Sequence, residues 1–187
     1  MNTDVFSPSP VLHNERATLL PLHWSHLHAL AQFVIHEPEI WTYGLMQPSS
    51  HQGMVEYVAR AMDQRAQQQV IPFSILDCRS DQIAGSTRFY EIGTDSVSIG
   101  YTWLGKQFQG SGLNAAIKKL MLDYAFTDMR KQEVHFHAQD DNQRSRAAIE
   151  KLGAVYTGIR YNSHVKPDGT LRNTVDYVLS KKVWQSA

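Results

Sequence analysis

The most informative stretch of this chain reads Gln107-Phe108-Gln109-Gly110-Ser111-Gly112-Leu113-Asn114. It stands between a run typical of a β-strand and a run typical of an α-helix. Glycines let the backbone turn sharply and approach a ligand closely. The unpaired amides and the positive dipole end at the start of a helix can then bind an anion such as a pyrophosphate. The stretch predicts a phosphate-binding loop, and the alternative is a tight turn that holds no ligand.

The segments that follow this loop have clear periodicity. Apolar residues recur at helical spacing and predict an amphipathic helix with one apolar stripe, formed by Leu113, Ala116, Ile117, Leu120, Met121, Tyr124 and Ala125. Beyond the helix, apolar and polar residues alternate, which predicts a strand over residues 134–138.

The rest of the chain divides into strands separated by helices. Further strands are predicted over residues 17–22, 71–76, 82–90, 96–104, 154–160 and 174–183. Helices are predicted to begin near Ser25, Ser50 and Asn142, because these side chains can cap a first turn. The helix after Asn142 is predicted to end at Gly153, and Pro167-Asp168-Gly169 predicts the turn between the last two strands.

This order of elements predicts one domain over residues 1–187, ordered from about residue 11 to about residue 185. Antiparallel strands interrupted by helices are typical of an α/β fold of the α+β type. We expect a mixed, mostly antiparallel central sheet of about seven strands, flanked by about four helices.

The composition excludes several classes of protein. The chain has 18 Lys and Arg against 18 Asp and Glu, so its net charge is zero with His neutral. Such a chain has no broad attraction for nucleic acid, and we expect no nucleic-acid partner. Cys78 is the single cysteine and cannot form an internal disulfide, which favours a cytoplasmic location. No apolar run is long enough to span a bilayer, so we expect no membrane partner.

Two dinucleotide-binding motifs compete for the glycine loop. A P-loop needs Lys followed by Ser or Thr after its last glycine, whereas Leu113-Asn114 stands there. The spacing of Gly110, Gly112 and Ala115 matches a Rossmann fingerprint, and Asp140 follows at a suitable distance. A Rossmann loop usually opens its sheet, whereas this loop follows a predicted antiparallel meander. An NAD-dependent oxidoreductase therefore stays an alternative on spacing alone.

The pattern Gln107-x-x-Gly110-x-Gly112 resembles the acetyl-CoA signature of the GNAT superfamily, in which Arg or Gln leads the loop. Other segments agree with this resemblance, which runs from about Ala17 to about Trp184. Residues 100–104 are similar to the family's fourth strand. Residues 142–145 and 152–154 resemble its next helix and the Gly that ends that helix. Residues 168–169 and 172–174 resemble the final hairpin of the ribosomal-protein N-acetyltransferase branch.

The resemblance implies where acetyl-CoA binds. In this family the fourth and fifth strands splay apart, and the pantetheine arm pairs with strand backbone in the gap. Trp103 and Leu104 would supply these contacts, and a free amide there would stabilise the oxyanion of a tetrahedral intermediate. Asn142 resembles a family Asn that contacts the arm. The implied acetyl-CoA-binding residues are Trp103, Leu104, Gln107, Gln109, Gly110, Ser111, Gly112, Leu113, Asn114, Asn142 and Ser145.

The resemblance also implies groups that catalyse attack by an amine on the thioester. Ser145 matches a serine that this branch places near the sulfur, where it would protonate the leaving thiolate; the alternative is a helix-start serine that only binds backbone. Two positions depart from the family, because Ile149 replaces a common tyrosine and Thr157 replaces a glutamate. His137 and Glu91, on neighbouring strands, are the remaining candidates for the general base.

An acceptor pocket is implied by residues of the covering loop and the last strands, which are Trp41, Tyr43, Tyr161 and Arg172. Each aromatic taken singly also fits ordinary core packing. His135 and His137 share a strand face, but two histidines without a third ligand are typical of a structural role, so we expect no metal.

The resemblance therefore implies an N-acetyltransferase that transfers the acetyl group of acetyl-CoA to a primary amine by direct attack in a ternary complex. The acceptor would be a protein N-terminus or a small-molecule amine. Because the usual tyrosine and glutamate are missing, a catalytically weak acyl-CoA-binding GNAT module stays an alternative. A homodimer is also left open.

Overall fold

The computed structural model describes residue 6 and residues 9–44, 46–166 and 169–186. Within these residues, eight strands form one sheet. They are β1 (Leu12–His13), β2 (Ala17–Pro21), β3 (Ile71–Asp77), β4 (Gln82–Tyr90), β5 (Ser96–Leu104), β6 (Glu133–Gln139), β7 (Val155–Val165) and β8 (Leu171–Ser180). The helices are α1 (Leu27–His36), α2 (His51–Ala66), α3 (Leu113–Thr127), α4 (Gln143–Glu150) and α5 (Lys181–Ser186). Short 3-10 turns cover Trp24–His26, Pro38–Trp41 and Lys106–Phe108.

The sheet has the strand order β1-β2-β3-β4-β5-β6-β8-β7. Neighbouring strands run antiparallel except for β5 and β6, which are parallel. This confirms the predicted mixed, mostly antiparallel sheet of an α/β fold. The extra strand is β1, which is only two residues long and therefore too short to show alternation in the sequence.

The parallel pair β5 and β6 separates soon after it begins. The two strands pair only over residues 96–98 and 133–135, and then diverge. On its other side β5 carries a bulge, because Ser86 and Arg88 of β4 face Trp103 and Gly100, which are three residues apart. Tyr101, inside this bulge, has a φ of 51°. The divergence of β5 from β6 is the structural feature that opens the site described below.

The core is one continuous hydrophobic cluster to which the sheet and helices contribute. The predicted stripe of α3 packs into it, and Leu113, Ile117 and Met121 are fully buried. α3 packs against β5 and β6, α1 packs against α2, and α4 packs against β6. None of the described helices combines the length and apolar character needed to cross a membrane.

Several predicted helix starts and ends can be compared with the structure. Ser50 caps α2 as predicted, because its Oγ accepts a hydrogen bond from the N–H of Gly53 at 3.0 Å. The prediction that Ser25 caps α1 is wrong. Ser25 lies inside a 3-10 turn that is capped by the side chain of His23, and α1 begins only after His26.

The end of the chain also differs from the prediction. The last strand stops at Ser180, and residues predicted to continue it form α5. Trp184 of this helix donates a hydrogen bond from Nε1 to Asp123 Oδ1 at 2.9 Å, which fixes the segment against α3. β7 continues to Val165, well beyond its predicted end, and Pro167 and Asp168 of the predicted turn lie outside the described residues.

Candidate active site

A cleft of about 820 Å³ occupies the space between the diverging strands. One wall is formed by residues 99–104 of β5 and another by residues 136–139 of β6. The inner end lies where β5 and β6 still pair, and the loop around Trp41 and the starts of α3 and α4 complete the lining. A concave space of this size, with both apolar and polar lining groups, suits a small-molecule ligand.

The glycine loop enters α3 in a left-handed conformation. Gly110 and Gly112 have φ values of 69° and 83°, which a residue with a Cβ adopts only at a cost. Gly112 is the N-cap of α3 and provides no side-chain hydrogen bond to the helix. The Leu113 N–H lies 3.4 Å from Ser111 Oγ, a long contact that leaves the amide weakly satisfied. The start of α3 is therefore suited to accept a phosphate group.

The predicted acetyl-CoA-binding residues fall into two groups. The cleft is lined by Trp103, Leu104, Gln109, Gly110, Asn114, Asn142 and Ser145. The cleft lining does not include Gln107, Ser111, Gly112 and Leu113. Gln107 instead donates from Nε2 to Gln82 Oε1 at 3.3 Å, and Ser111 donates from Oγ to Phe108 O at 2.6 Å.

Gln109 joins the glycine loop to two other elements of the cleft. Its Nε2 donates to Leu104 O of β5 at 2.7 Å, and its Oε1 accepts from Arg144 Nη1 of α4 at 2.7 Å. Because both ends of its side-chain amide are bonded, Gln109 links β5 to α4 beside the glycine loop.

The start of α4 presents Ser145 to the cleft. Asn142 Oδ1 accepts a hydrogen bond from the Ser145 N–H at 3.1 Å, so Asn142 caps the helix as predicted. The Ser145 hydroxyl has no hydrogen-bond partner among the described residues, whereas its backbone amide is already satisfied. The hydroxyl is thus available to a ligand.

An acid–base pair lies at the inner end of the cleft. His137 Nδ1 of β6 is 2.6 Å from Asp176 Oδ1 of β8, and the two residues face each other across the paired strands. Arg160 Nε and Nη2 donate to the two oxygens of Asp176 at 2.9 and 2.8 Å. Burial raises the pKa of Asp176, but the hydrogen bonds from Arg160 and His137 outweigh this and hold the pKa below its usual range.

The ionised Asp176 determines which nitrogen of His137 carries the proton. An ionised carboxylate can only accept hydrogen bonds, so the 2.6 Å contact to Asp176 assigns the ring proton to Nδ1. Arg160 Nη2 also lies 3.2 Å from Nδ1, but it is a donor and cannot replace that proton. With one ring proton held on Nδ1 by the shorter contact, Nε2 is the nitrogen whose lone pair can accept a second proton, and Glu91 Oε2 at 3.3 Å would then accept a hydrogen bond from it.

Glu91 and Ser98 lie beside the free nitrogen of His137. Glu91 Oε2 is 3.3 Å from His137 Nε2, and it accepts a hydrogen bond from Ser98 Oγ at 2.6 Å. Most of the Glu91 side chain is exposed to solvent, whereas His137 is four-fifths buried. The three side chains connect the inner end of the cleft to the surface.

The structure thus brings His137 and Glu91 together, and both line the cleft that also contains Ser145. Sequence reasoning missed Asp176, Arg160 and Ser98. The pairing of His137 with Asp176 depends on the register between β6 and β8, and a single sequence does not specify that register.

The predicted acceptor residues have different environments. Trp41 lines the cleft but is almost fully buried, with its ring centroid 4.6 Å from that of Trp103. Tyr43 lines the cleft and is partly exposed at its rim. Arg172 does not line the cleft; its guanidinium lies 5.3 Å from the ring centroid of Tyr43 and pairs with Asp141. Tyr161 is 73% exposed and also lies outside the cleft lining.

Two other predictions concern metals and dinucleotides. The described residues contain no group of three or more His, Cys, Asp or Glu side chains that could hold a metal ion. A Rossmann fold needs a parallel sheet around its glycine loop, whereas here β5 and β6 are the parallel pair in a mostly antiparallel sheet. Asp140, the residue expected on a ribose, is instead bonded to the side chain of Asn173 at 2.7 Å.

Known proteins share both the sequence and the fold of this chain. Residues 16–155 match the acetyltransferase (GNAT) domain family. YdaF of Bacillus subtilis (strain 168), provisionally named a ribosomal N-acetyltransferase, is 31% identical over 87 residues. That match covers 46% of this chain and 46% of YdaF, so the matched part spans about half the length of that curated relative.

Solved structures agree with this match. A provisionally named acetyltransferase from T. thermophilus is 26% identical, with a TM-score of 0.83 over 94% of this chain and 92% of that one. The microcin C7 self-immunity acetyltransferase MccE, solved in complex with acetyl-CoA and AMP, is 18% identical and shares the fold, with a TM-score of 0.79 over 89% of this chain and 93% of that one. The chain belongs to the GNAT family of acetyltransferases, acyltransferases that use acetyl-CoA.

Proposed function

We propose that this protein transfers the acetyl group of acetyl-CoA to a primary amine by direct attack in a ternary complex. One observation supports this most strongly: a single cleft is bordered by the start of α3 at Gly110 and Asn114, and it is lined by the free Ser145 hydroxyl and the oriented base His137. An anion site, a proton donor and a proton acceptor are the groups that such a transfer needs.

Several residues of the cleft would hold the acetyl donor. The amides at the start of α3 and Asn114 would bind the pyrophosphate, and Gln109 would hold the glycine loop against β5 and α4. The segment of β5 from the bulge to Leu104 does not pair with β6, so its backbone groups on that side, apart from the Leu104 carbonyl that Gln109 occupies, would bind the pantetheine arm.

His137 and Ser145 would then move the protons. As the amine nitrogen bonds to the acetyl carbon, His137 Nε2 accepts the amine proton, and Asp176 stabilises the imidazolium that forms. Glu91 can pass this proton to solvent. Ser145 donates its hydroxyl proton to the sulfur as the carbon–sulfur bond breaks, and recovers a proton from water.

The acceptor would be an α-amine or a small amine of low basicity. An α-amine has a pKa of about 7.7–8.0, so a good fraction is neutral near pH 7, whereas lysine has a pKa of about 10.4. A single general base such as His137, linked to solvent through the exposed Glu91, suits the first type of amine better than the second. A protein N-terminus and a small-molecule amine both meet this requirement. A homodimer and a cytoplasmic location stay predictions.

A second candidate function is a catalytically weak acyl-CoA-binding module. The observation in its favour is Ile149, an apolar and buried residue that lines the cleft where many family members have a tyrosine. In this case the cleft would bind acetyl-CoA without turning it over.

Release of free thiol from acetyl-CoA, measured over a panel of amines and peptide N-termini, separates the two functions. We expect amine-dependent release, and we expect Ser145→Ala to lower kcat while CoA still binds. Ser186→Ala is the control, because it removes an exposed serine of α5 that does not line the cleft, and it should keep normal turnover. Normal CoA binding with no release for any amine would favour the weak module, and full activity of Ser145→Ala would remove that residue from the mechanism.

A further inference from the structure

One charged residue of the cleft has no role in the chemistry above. Lys118 of α3 is only 8% exposed and lines the cleft. Its Nζ donates to Thr102 Oγ1 of β5 at 2.9 Å and lies 5.7 Å from the ring centroid of Phe136 of β6. The amine therefore lies between the two strands, beyond the point where they diverge.

The surroundings of this amine are unusual for a lysine. No carboxylate among the described residues pairs with Lys118, and burial lowers its pKa to about 7. The next residue, Lys119, shows the ordinary arrangement, since it is exposed and pairs with Asp123 at 2.6 Å. Burying an amine without an anion is costly, and a residue that only needed to fill space could be apolar.

The depth of Lys118 in the cleft places it between the two ends of the site. β5 and β6 part after Ser98 and His135, so His137 is near the level of Gly100, and Thr102 lies two residues further out. Lys118 is also five residues into α3, about 7.5 Å from the helix start that would hold phosphate.

The middle of the acyl-CoA arm has the chemistry that fits this position. Between its pyrophosphate and its thioester, the arm carries two secondary amides, each with a carbonyl oxygen that accepts hydrogen bonds. Lys118 has at least two N–H groups in either protonation state, and Thr102 uses one of them. At least one donor is therefore left for the cleft.

We propose that Lys118 Nζ, held by Thr102, donates a hydrogen bond to an amide carbonyl of the acyl-CoA arm in the gap between β5 and β6. This inference rests on the proposed function, because it needs acyl-CoA to lie in this cleft. Lys118 is thus a binding residue for the donor, in addition to the glycine loop and the backbone of β5.

Calorimetric titration can test this with two ligands, CoA and its nucleotide part 3′-phospho-ADP, which lacks the arm. For Lys118→Met, which keeps the length of the side chain but has no donor, we expect about tenfold weaker binding of CoA and unchanged binding of 3′-phospho-ADP. Lys118→Gln, which keeps an N–H donor, should recover part of the loss. The matched control Lys119→Met should bind both ligands like the wild type.

The outcomes distinguish this inference from the function it rests on. If the wild type bound no CoA, the proposed function would fail. If the wild type bound CoA and Lys118→Met bound it equally well, only the role of Lys118 would be overturned. Equal losses for CoA and 3′-phospho-ADP would also overturn it, since Lys118 would then act through the shape of α3. Thermal melting of each variant checks that the folded fraction is the same.

Discussion

His137 Nδ1 lies 2.6 Å from Asp176 Oδ1, and the two residues occupy facing positions on β6 and β8. Arg160 holds the same carboxylate through two hydrogen bonds. The arrangement fixes the ring proton on Nδ1 and turns Nε2 toward Glu91 and the inner end of the cleft. A register-dependent contact between two strands thus determines which atom can act as the base.

Replacing Asp176 with Asn should remove this control while keeping the shape of the side chain. The amide can donate to His137 Nδ1, which would leave the free lone pair on the wrong nitrogen. We expect kcat of Asp176→Asn to fall by roughly tenfold to a hundredfold, with little change in the KM for acetyl-CoA. The pH profile of kcat should also move, because the base has lost its ionised partner.

The chain offers a matched control for this variant. His135 and Glu133 form another histidine–carboxylate pair on β6, with 3.3 Å between Nε2 and Oε2, and neither residue lines the cleft. Glu133→Gln should therefore keep the kcat and pH profile of the wild type. If Asp176→Asn kept them too, His137 would not be the base.

A side chain at position 112 should cause no steric clash, but it should strain the backbone. A Cβ built there meets no atom within 4 Å, yet the φ of 83° is unfavourable for any other residue. We expect Gly112→Ala to lower the free energy of unfolding by about 1 kcal/mol, measured in urea, and to weaken CoA binding. Gly158→Ala is the control, because that site is equally open and its φ is not in the left-handed region. Similar losses in both variants would contradict the argument from backbone conformation.

The fold could largely be predicted from the sequence, because its strongest signals are local. The periodic stripe identified α3 from its first residue, Leu113, and the strands predicted over 82–90 and 96–104 coincide with β4 and β5. The sequence pattern was misleading where a tertiary contact determines the secondary structure. The last three residues of the strand predicted over 174–183 instead begin α5, which Trp184 ties to Asp123 of α3.

The site was predictable only where its residues are close together in the sequence. The glycine loop and Asn142 are contiguous with the helices they start, so their patterns are visible in sequence. Arg160 and Asp176 meet His137 only through the register of three strands. Lys118 looks like a surface residue of an amphipathic helix, and it faces a cleft only because β5 and β6 diverge above it.

Arg88 should be dispensable for stability but needed for cofactor binding. It is 1% exposed, its guanidinium lies 4.3 Å from the ring centroid of Tyr101, and its Nε and Nη2 have no partner among the described residues. Tyr101 forms the bulge of β5 with a φ of 51°, so the stacked Arg88 helps to hold the cleft wall in a strained shape.

We expect Arg88→Met to have an unfolding free energy equal to or above that of the wild type, because it removes a buried and incompletely bonded charge. Its KM for acetyl-CoA should rise severalfold as the bulge relaxes. Arg79→Met, at an exposed position in the turn after β3, should change neither quantity. A large loss of stability with an unchanged KM would show that Arg88 is structural only.

The stability of the protein should depend on pH through Lys118. Burial lowers the pKa of Lys118 from 10.5 to about 7, so between these values the unfolded chain binds a proton that the folded chain lacks. The free energy of unfolding therefore rises with pH in this window, by up to about 1.4 kcal/mol per pH unit.

Lys118→Met lacks this contribution, so its stability advantage over the wild type should be greatest at or below pH 7 and should shrink toward pH 9. Urea unfolding at pH 7, 8 and 9 measures the difference, and Lys119→Met, which alters an exposed amine, should follow the wild type. Parallel curves for wild type and Lys118→Met would mean that Lys118 keeps its charge in the folded protein.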